Sequence, residues 1–355
     1  MLIIRLFSNE TVFRGHPDKV CDQISDAILD ECLRQDPHSR VAVETMGGKG
    51  KIFITGEITS KANLNVEVIA KSVLEKVGYN STRYEVINNI GQQSGDIALG
   101  VDDGGAGDQG MMFGYACNDT KELLPTAQVI LQKFSREYDK LRQRDSRFKS
   151  DGKAQITGYY DNEFKLKKIK TFVVSYQNME TDRENTDRII KKMAYNICLE
   201  HGIEIGEFLI NPTGKFLVGS FEGDAGLTGR KIIVDTYHSF ANVGGGCFSG
   251  KDPTKVDRSG AYKARELAKR FLHMHGLRWC EVQLSYAIGI AEPLSIYANS
   301  DKGSIAIDKN IYVDEELYEE CRPLNIINDL DLRKPIYEET AKFGHFGNKN
   351  FSWER

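Results

Sequence analysis

Residues 244–258 read Gly-Gly-Gly-Cys-Phe-Ser-Gly-Lys-Asp-Pro-Thr-Lys-Val-Asp-Arg, a run that combines the residue types needed to hold a polyphosphate and its metal. Consecutive glycines let backbone amides approach an anion with no Cβ in the way. Lys251 and Lys255 supply cations, and Asp252 and Asp257 supply the oxygen ligands that hard divalent cations prefer. The apolar run 232–234 before it reads as a strand. The spacing of Ala261, Ala264, Ala268, Phe271 and Leu272 predicts an amphipathic helix after it. A glycine-rich loop between strand and helix is a natural seat for phosphate oxygens. Gly245 to Lys251 comes close to a P-loop. However, Asp252 stands where that motif needs Ser or Thr, and the run lies deep in the C-terminal half.

Four further clusters repeat the chemistry. Gly15-His16-Pro17-Asp18-Lys19 opens a helical pattern in which Ile24, Ile28 and Cys32 share one face. Pro17 suits the first helical position, which places His16 and Asp18 at a helix start, where the backbone field favours anions. Asp22, Asp26 and Asp30 form the opposite stripe and read as a solvated face. Gly-Ala-Gly-Asp-Gln-Gly at 105–110, Asp151-Gly152-Lys153, and Gly223 with Asp224 running on to Arg230 and Lys231 each set a carboxylate or a cation among glycines. One such cluster is a turn. Five of them, spread over the chain, describe a metal–polyphosphate site.

The elements that must position these residues alternate. Helical patterns fall near 17–35, 63–77, 124–143, 183–201 and 258–275. Strand-like runs fall at 40–45, 51–58, 154–160, 165–177, 232–237 and 281–292. Breaks near 95–110 and 219–229 divide the chain into units 1–100, 101–218 and 219–355. Each holds a hairpin-like strand pair and two helices, an α+β architecture. The 355 residues exceed one small core, and 40% hydrophobic with 28% charged residues is an ordinary globular composition. A net charge of −4 provides no basic field for nucleic acid or anionic membrane. Seven scattered cysteines without a Cys-x-x-Cys pair predict reduced thiols and a cytoplasmic setting. The opening residues are too short an apolar run for a signal core, and no stretch reaches membrane-spanning length.

At these motifs the chain resembles the S-adenosylmethionine synthetases (methionine adenosyltransferases). The resemblance rests on 15–19, Gly-Glu-Ile-Thr at 56–59, 105–110 and Phe-Leu-Ile-Asn-Pro-Thr-Gly at 208–214. It continues through Gly-Leu-Thr-Gly-Arg-Lys-Ile-Ile-Val-Asp-Thr-Tyr at 226–237, the run at 244–259 and Gly-His-Phe-Gly at 344–347, nearly end to end. It implies three similar α+β domains in a pseudo-threefold arrangement. It also implies a reaction in which the methionine sulfur attacks C5′ of ATP, the whole triphosphate leaves, and tripolyphosphate is hydrolysed to phosphate and diphosphate. A neutral thioether is a modest nucleophile, so stabilising the leaving group must carry the reaction.

Residue by residue, the resemblance assigns Asp18 and Asp257 to two magnesium ions and Glu44 to a potassium ion. His16 matches the histidine near the bond that breaks, and Lys153, Arg230, Lys231 and Lys251 match the polyphosphate cations. Asp108, Asp151 and Asp224 match residues holding nucleoside and amino acid. Phe216 matches an aromatic at the adenine, with Lys215 and Cys247 beside the nucleotide. Glu57, Gln93 and Lys255 match methionine contacts. A homodimer with shared sites, or a dimer of dimers, is implied as well. The chain departs from the family pattern at several places. His238-Ser239 replaces a glycine pair, Val243 replaces a histidine, Cys247 replaces an alanine, and Gly95 replaces a proline in a shortened loop. Cys247, close to Lys251, is expected to have a lowered thiol pKa. A non-catalytic relative would be expected to lack some of His16, Asp18, Lys153, Lys251 and Asp257, and all are present. A phosphotransferase using the same loop would release ADP.

Overall fold

The computed structural model describes residues 5–92, 104–179, 181–307 and 315–355. Among them, twelve strands form three four-stranded sheets. The first sheet runs β4-β3-β2-β9. Its hairpin is β2 (Arg40–Gly48) and β3 (Lys51–Thr59), with β4 (Glu85–Gly91) parallel to β3 and the short β9 (Gly226–Leu227) against β2. The second runs β1-β6-β7-β8, from β1 (Arg5–Val12), β6 (Phe148–Tyr160), β7 (Leu166–Asn178) and β8 (Ile205–Ile210). The third runs β12-β11-β10-β5, from β5 (Gly110–Cys117), β10 (Trp279–Tyr286), β11 (Ser295–Ser300) and β12 (Gly303–Ile307).

Period-two burial explains the sheets. In β2, Val41, Val43, Thr45 and Gly47 turn inward, while Glu44 and Met46 turn out. Helices α1 (Pro17–Gln35) and α2 (Val66–Val77) cover that inner face. Helices α3 (Thr126–Arg144) and α4 (Arg183–Glu200) pack on the second sheet against Ala154, Ile156, Phe172, Val174 and Tyr176. A further long helix, Val256–Met274, packs on the third sheet against Met112, Val282 and Leu284. It is α7, after the one-turn helices α5 (Ser220–Gly223) and α6 (Ile232–Asp235). Short helices α8 (Glu315–Glu320), α9 (Pro323–Asp329) and α10 (Tyr337–Phe343) close the C-terminal part. Each sheet thus has one helix-covered face and one open face.

Strands cross between segments. β1 pairs with β6 along its full length, β5 pairs with β10, and β9 pairs with β2. The first pairing sets Val12 opposite Lys153, and the chain then follows β6 through Phe13 N–H to Gly152 O and Gly15 N–H to Ser150 O before α1 begins. A Cβ on Gly15 would come within 2.3 Å of the Ser150 Cβ, so only glycine permits this approach.

Two expected strands need correction. Residues 232–237 are not a strand: Ile232–Asp235 is a single helical turn, with Val234, Asp235 and Thr236 buried in succession. A short apolar run cannot by itself separate the two states, and the buried pull of Lys19 on Asp235 decides for the turn. The run 281–292 is strand only to Tyr286, after which Ile290 N–H turns back to Ala287 O. At the pair where the resemblance implies two glycines, His238 and Ser239 hold φ of 51° and 72°. For L-residues this left-handed backbone costs roughly 1–2 kcal/mol each. His238 is buried, and its carbonyl takes Asn9 Nδ2–H at 2.8 Å.

Candidate active site

Pro17 at the first turn fixes the start of α1, and His16 caps it, Nδ1 accepting the Asp18 N–H at 3.2 Å. Asp18 Oδ1 accepts the Leu227 N–H at 2.9 Å, Oδ2 accepts from Lys231 Nζ at 2.5 Å, and Arg230 Nε stands 3.6 Å from Oδ1. Lys153 adds its charge from β6, opposite Val12. Burial first, then the cation of Lys231, push the His16 pKa down to about 3, so the ring is neutral. Burial alone would raise the Asp18 carboxyl. The Lys231 and Leu227 hydrogen bonds outweigh it and hold the group below its usual range.

Beside this group, Asp151 is buried and accepts the Ser220 N–H at 2.7 Å. Burial pushes its carboxyl up to about 6, and nearby Asp224 adds to the rise. Gly219 lies against it, leaving 2.9 Å between a would-be Cβ and Asp151 Oδ2. Lys215 is exposed and Phe216 half-buried on the segment leaving β8, which Asn178 N–H fastens through Phe216 O at 3.0 Å.

A second group forms at the start of α7. Lys251 hydrogen-bonds Asp257, and Gly246 lies over that carboxylate, where a Cβ would fall 2.1 Å from it. The Cβ position of Gly110 is 3.9 Å from Asp257 Oδ1, so the end of the 105–110 loop arrives here too. Asp108 on that loop is exposed and accepts the Gln109 N–H at 2.8 Å. Lys255 turns instead to the buried Asp252. Glu44 is paired with Thr55, and Glu57 with Ala42, so both glutamates stand on the open face of the first sheet. Gln93 lies outside the described residues. The two groups meet where Gly229 packs on Cys247, 2.5 Å from its would-be Cβ to the Cys247 Cβ.

The acidic stripe of α1 is not solvated. Asp22, Asp26 and Asp30 are buried, and each accepts backbone N–H groups from a distant segment. Asp22 takes Gly229 at 2.8 Å, Asp26 takes Gly250 at 2.8 Å, and Asp30 takes Tyr337 and Glu338 at 2.8 Å each. Asp26 also binds Arg258 through both oxygens at 2.8 Å, and Ser25 links to Thr45 and Thr228 through their hydroxyls. Sequence reading missed Asp22, Ser25, Asp26, Thr228 and Arg258. A four-residue acidic spacing looks the same whether water or glycine amides lie opposite. Cys247 also corrects an expectation. Burial pushes its thiol up to about 11 despite Lys251, although the other six cysteines are more deeply buried.

Among the described residues no three His, Cys, Asp or Glu side chains converge to cage a metal. Asp18 and Asp257 each offer a single carboxylate already facing cations. Such a donor set suits magnesium, which keeps several waters and completes its shell with substrate phosphate oxygens. Family models for S-adenosylmethionine synthetase match nearly all of the chain, the N-terminal domain at residues 4–95, the central domain at 103–216 and the C-terminal domain at 218–355.

Proposed function

The chain belongs to the S-adenosylmethionine synthetase family, enzymes that make S-adenosylmethionine from ATP and L-methionine with the help of metal ions, and from that premise we propose how its side chains divide the work. The methionine sulfur displaces triphosphate from C5′ directly, with no protein nucleophile. Because His16 Nδ1 accepts an N–H, its Nε2 carries the proton and donates to the departing oxygen as a neutral ring. Lys153, Arg230, Lys231 and Lys251 gather the negative charge that develops on the triphosphate and keep it in place for hydrolysis.

Asp18 and Asp257 would hold two magnesium ions and Glu44 a potassium ion. Bound there, the magnesium ions would supply positive charge that stabilises the departing triphosphate. Lys231 and Lys251, now paired with the two carboxylates, would be released to phosphate oxygens. Asp151, Asp224, Lys215, Phe216 and Cys247 surround the nucleoside, while Asp108, Asp224, Glu57, Gln93 and Lys255 receive the amino acid. The observation that supports this reading most is the convergence of His16 and Asp18 with Arg230 and Lys231 from distant parts of the sequence.

The half-reactions test it. His16→Asn lowers S-adenosylmethionine formation at least tenfold more than hydrolysis of added tripolyphosphate, because only synthesis breaks the C5′–O bond (about tenfold or more for a lost charge-directed donor). Equal losses in both assays would remove His16 from that bond. The neutral ring also has a pH signature. Between pH 6.5 and about 3 the unfolded chain takes up a proton that native His16 does not, so this residue's contribution to stability is lost as pH falls through that window. The turnover profile accordingly lacks a limb near 6.5 from His16.

The working unit is a homodimer, alone or paired again, with sites shared between chains. Open sheet faces carry Glu44, Glu57, Met46, Met111 and Tyr297, and a methionine pocket at Glu57 needs a second wall there. If one site takes Lys153 from one chain and Lys251 from its partner, mixing Lys153→Ala with Lys251→Ala chains under subunit exchange restores activity that neither variant has alone. No recovery in this or any other pairing of inactive variants, despite demonstrated exchange, argues for sites confined to one chain. No described helix is long and apolar enough to cross a membrane, and seven free cysteines favour a reducing cytoplasm.

A further inference from the structure

We propose that Asp22, which no contact with substrate involves, is the positioning residue that aims Arg230 and Lys231 at the polyphosphate. The proposal rests on the reading of those two cations given above. Asp22 is fully buried one helical turn after Asp18. Its Oδ1 accepts the Gly229 N–H at 2.8 Å, and its Oδ2 lies 3.0 Å from Lys19 Nζ. Lys19 is already paired with Asp235 at 2.5 Å, so Asp22 brings a second buried carboxylate to a single ammonium. A surplus buried charge is unfavourable unless it hydrogen-bonds something specific. The specific partner here is the amide immediately before Arg230.

Geometry shows what that bond does. Asp18 holds Leu227 and Asp22 holds Gly229, so residues 227–229 lie along one face of α1. Thr228 between them bonds the hydroxyl of Ser25 and the backbone N–H of Thr45. Gly229 has φ of 82°, a left-handed turn after which the next two side chains face Asp18. The two anchors are not equivalent. Asp18 is in the site and, in the reading above, gives up Lys231 when cation and phosphate arrive, so its hold on Leu227 sits on a carboxylate whose partners change. Asp22 has no exposure and meets neither, so it keeps the loop in register while Asp18 and Lys231 part.

Four variants test this, with steady-state kinetics, calorimetric binding of tripolyphosphate and hydrogen exchange of the 226–231 segment, all measured well below each variant's melting temperature. Asp22→Ala lowers turnover about tenfold to a hundredfold, the loss expected for roughly an ångström of misplacement. It weakens tripolyphosphate binding in step, leaves the KM for methionine within about threefold, and speeds exchange in 226–231. Asp22→Asn keeps an acceptor for Gly229 and leaves Lys19 its Asp235, so it restores most of the turnover and the protection. Gly229→Ala moves the same loop from its outer side, against Cys247, and reproduces the Asp22→Ala losses with Asp22 intact. Arg230→Ala reports on the underlying site. Full activity in Arg230→Ala overturns the reading of the cations themselves. Loss in Arg230→Ala with wild-type turnover in Asp22→Ala overturns the positioning role alone. Loss in Asp22→Ala with unchanged exchange in 226–231, or an Asp22→Asn chain as inactive as the alanine variant with its loop still protected, overturns it as well. If Asp22→Ala does not fold, Asp22→Asn and Gly229→Ala decide by the same criteria.

Discussion

Asp257→Asn yields a folded protein whose S-adenosylmethionine synthesis falls about a hundredfold or more, the scale seen when one preorganised charge partner of a transition state is removed. The side chain sits in the first turn of α7 beneath Gly246, where a Cβ on that glycine would fall 2.1 Å from the carboxylate, and an isosteric amide keeps its shape. Its partner Lys251 is partly exposed, so losing the charge pair leaves the ammonium in contact with water and the fold little affected. What the amide cannot do is hold a magnesium ion with the strength of a carboxylate. Asp18→Asn has the same consequence at the other group, where Lys231 and Arg230 remain without their anion. Turnover near that of the parent chain at saturating magnesium, in either variant, would remove that residue from the metal assignment.

The largest loss of stability is expected at Asp26. Asp26→Asn keeps an acceptor for Gly250 but leaves the Arg258 guanidinium, which has no exposure, without a counter-charge. Stripping one partner from a buried ion pair costs about 3–5 kcal/mol. Arg258 has other supports, Lys251 O at 3.0 Å and the Tyr337 ring 4.5 Å from its guanidinium carbon, but neither neutralises it. The exposed pair Lys168–Glu204 is the control, since Glu204→Gln changes stability by less than about 1 kcal/mol. Equilibrium denaturation of both variants distinguishes them. A loss at Asp26 no greater than at Glu204 would mean that the buried pair does not hold the 244–258 loop against α1.

How much of this could be read in the chain depends on range. The start of α1 is legible because Pro17 and the 3.6-residue spacing of Ile24, Ile28 and Cys32 act locally. The β2–β3 and β6–β7 hairpins follow from alternation that each strand carries by itself. The turn at Ile232–Asp235 is not legible, because its deciding contact is Lys19, at the far end of the sequence. The same holds for the acidic stripe, whose partners are amides of glycines that no spacing on α1 reveals. Residue types name candidates for a phosphate site. The neutrality of His16 and the raised thiol of Cys247 arise from burial, which only the assembled structure specifies.

The crossing of strands between segments also dictates a schedule for synthesis. β1 is made well before β6, and until then its hydrogen-bonding edge has no partner. β5 waits a comparable stretch, from Cys117 until β10 begins at Trp279. From the making of β1 until that of β10 a nascent chain therefore carries at least one strand without its partner, and unpaired edges invite association with other chains. Slow elongation between Cys117 and Trp279 lengthens that exposure, so the yield of soluble enzyme is set by the interval between these two points as well as by the stability of the finished fold.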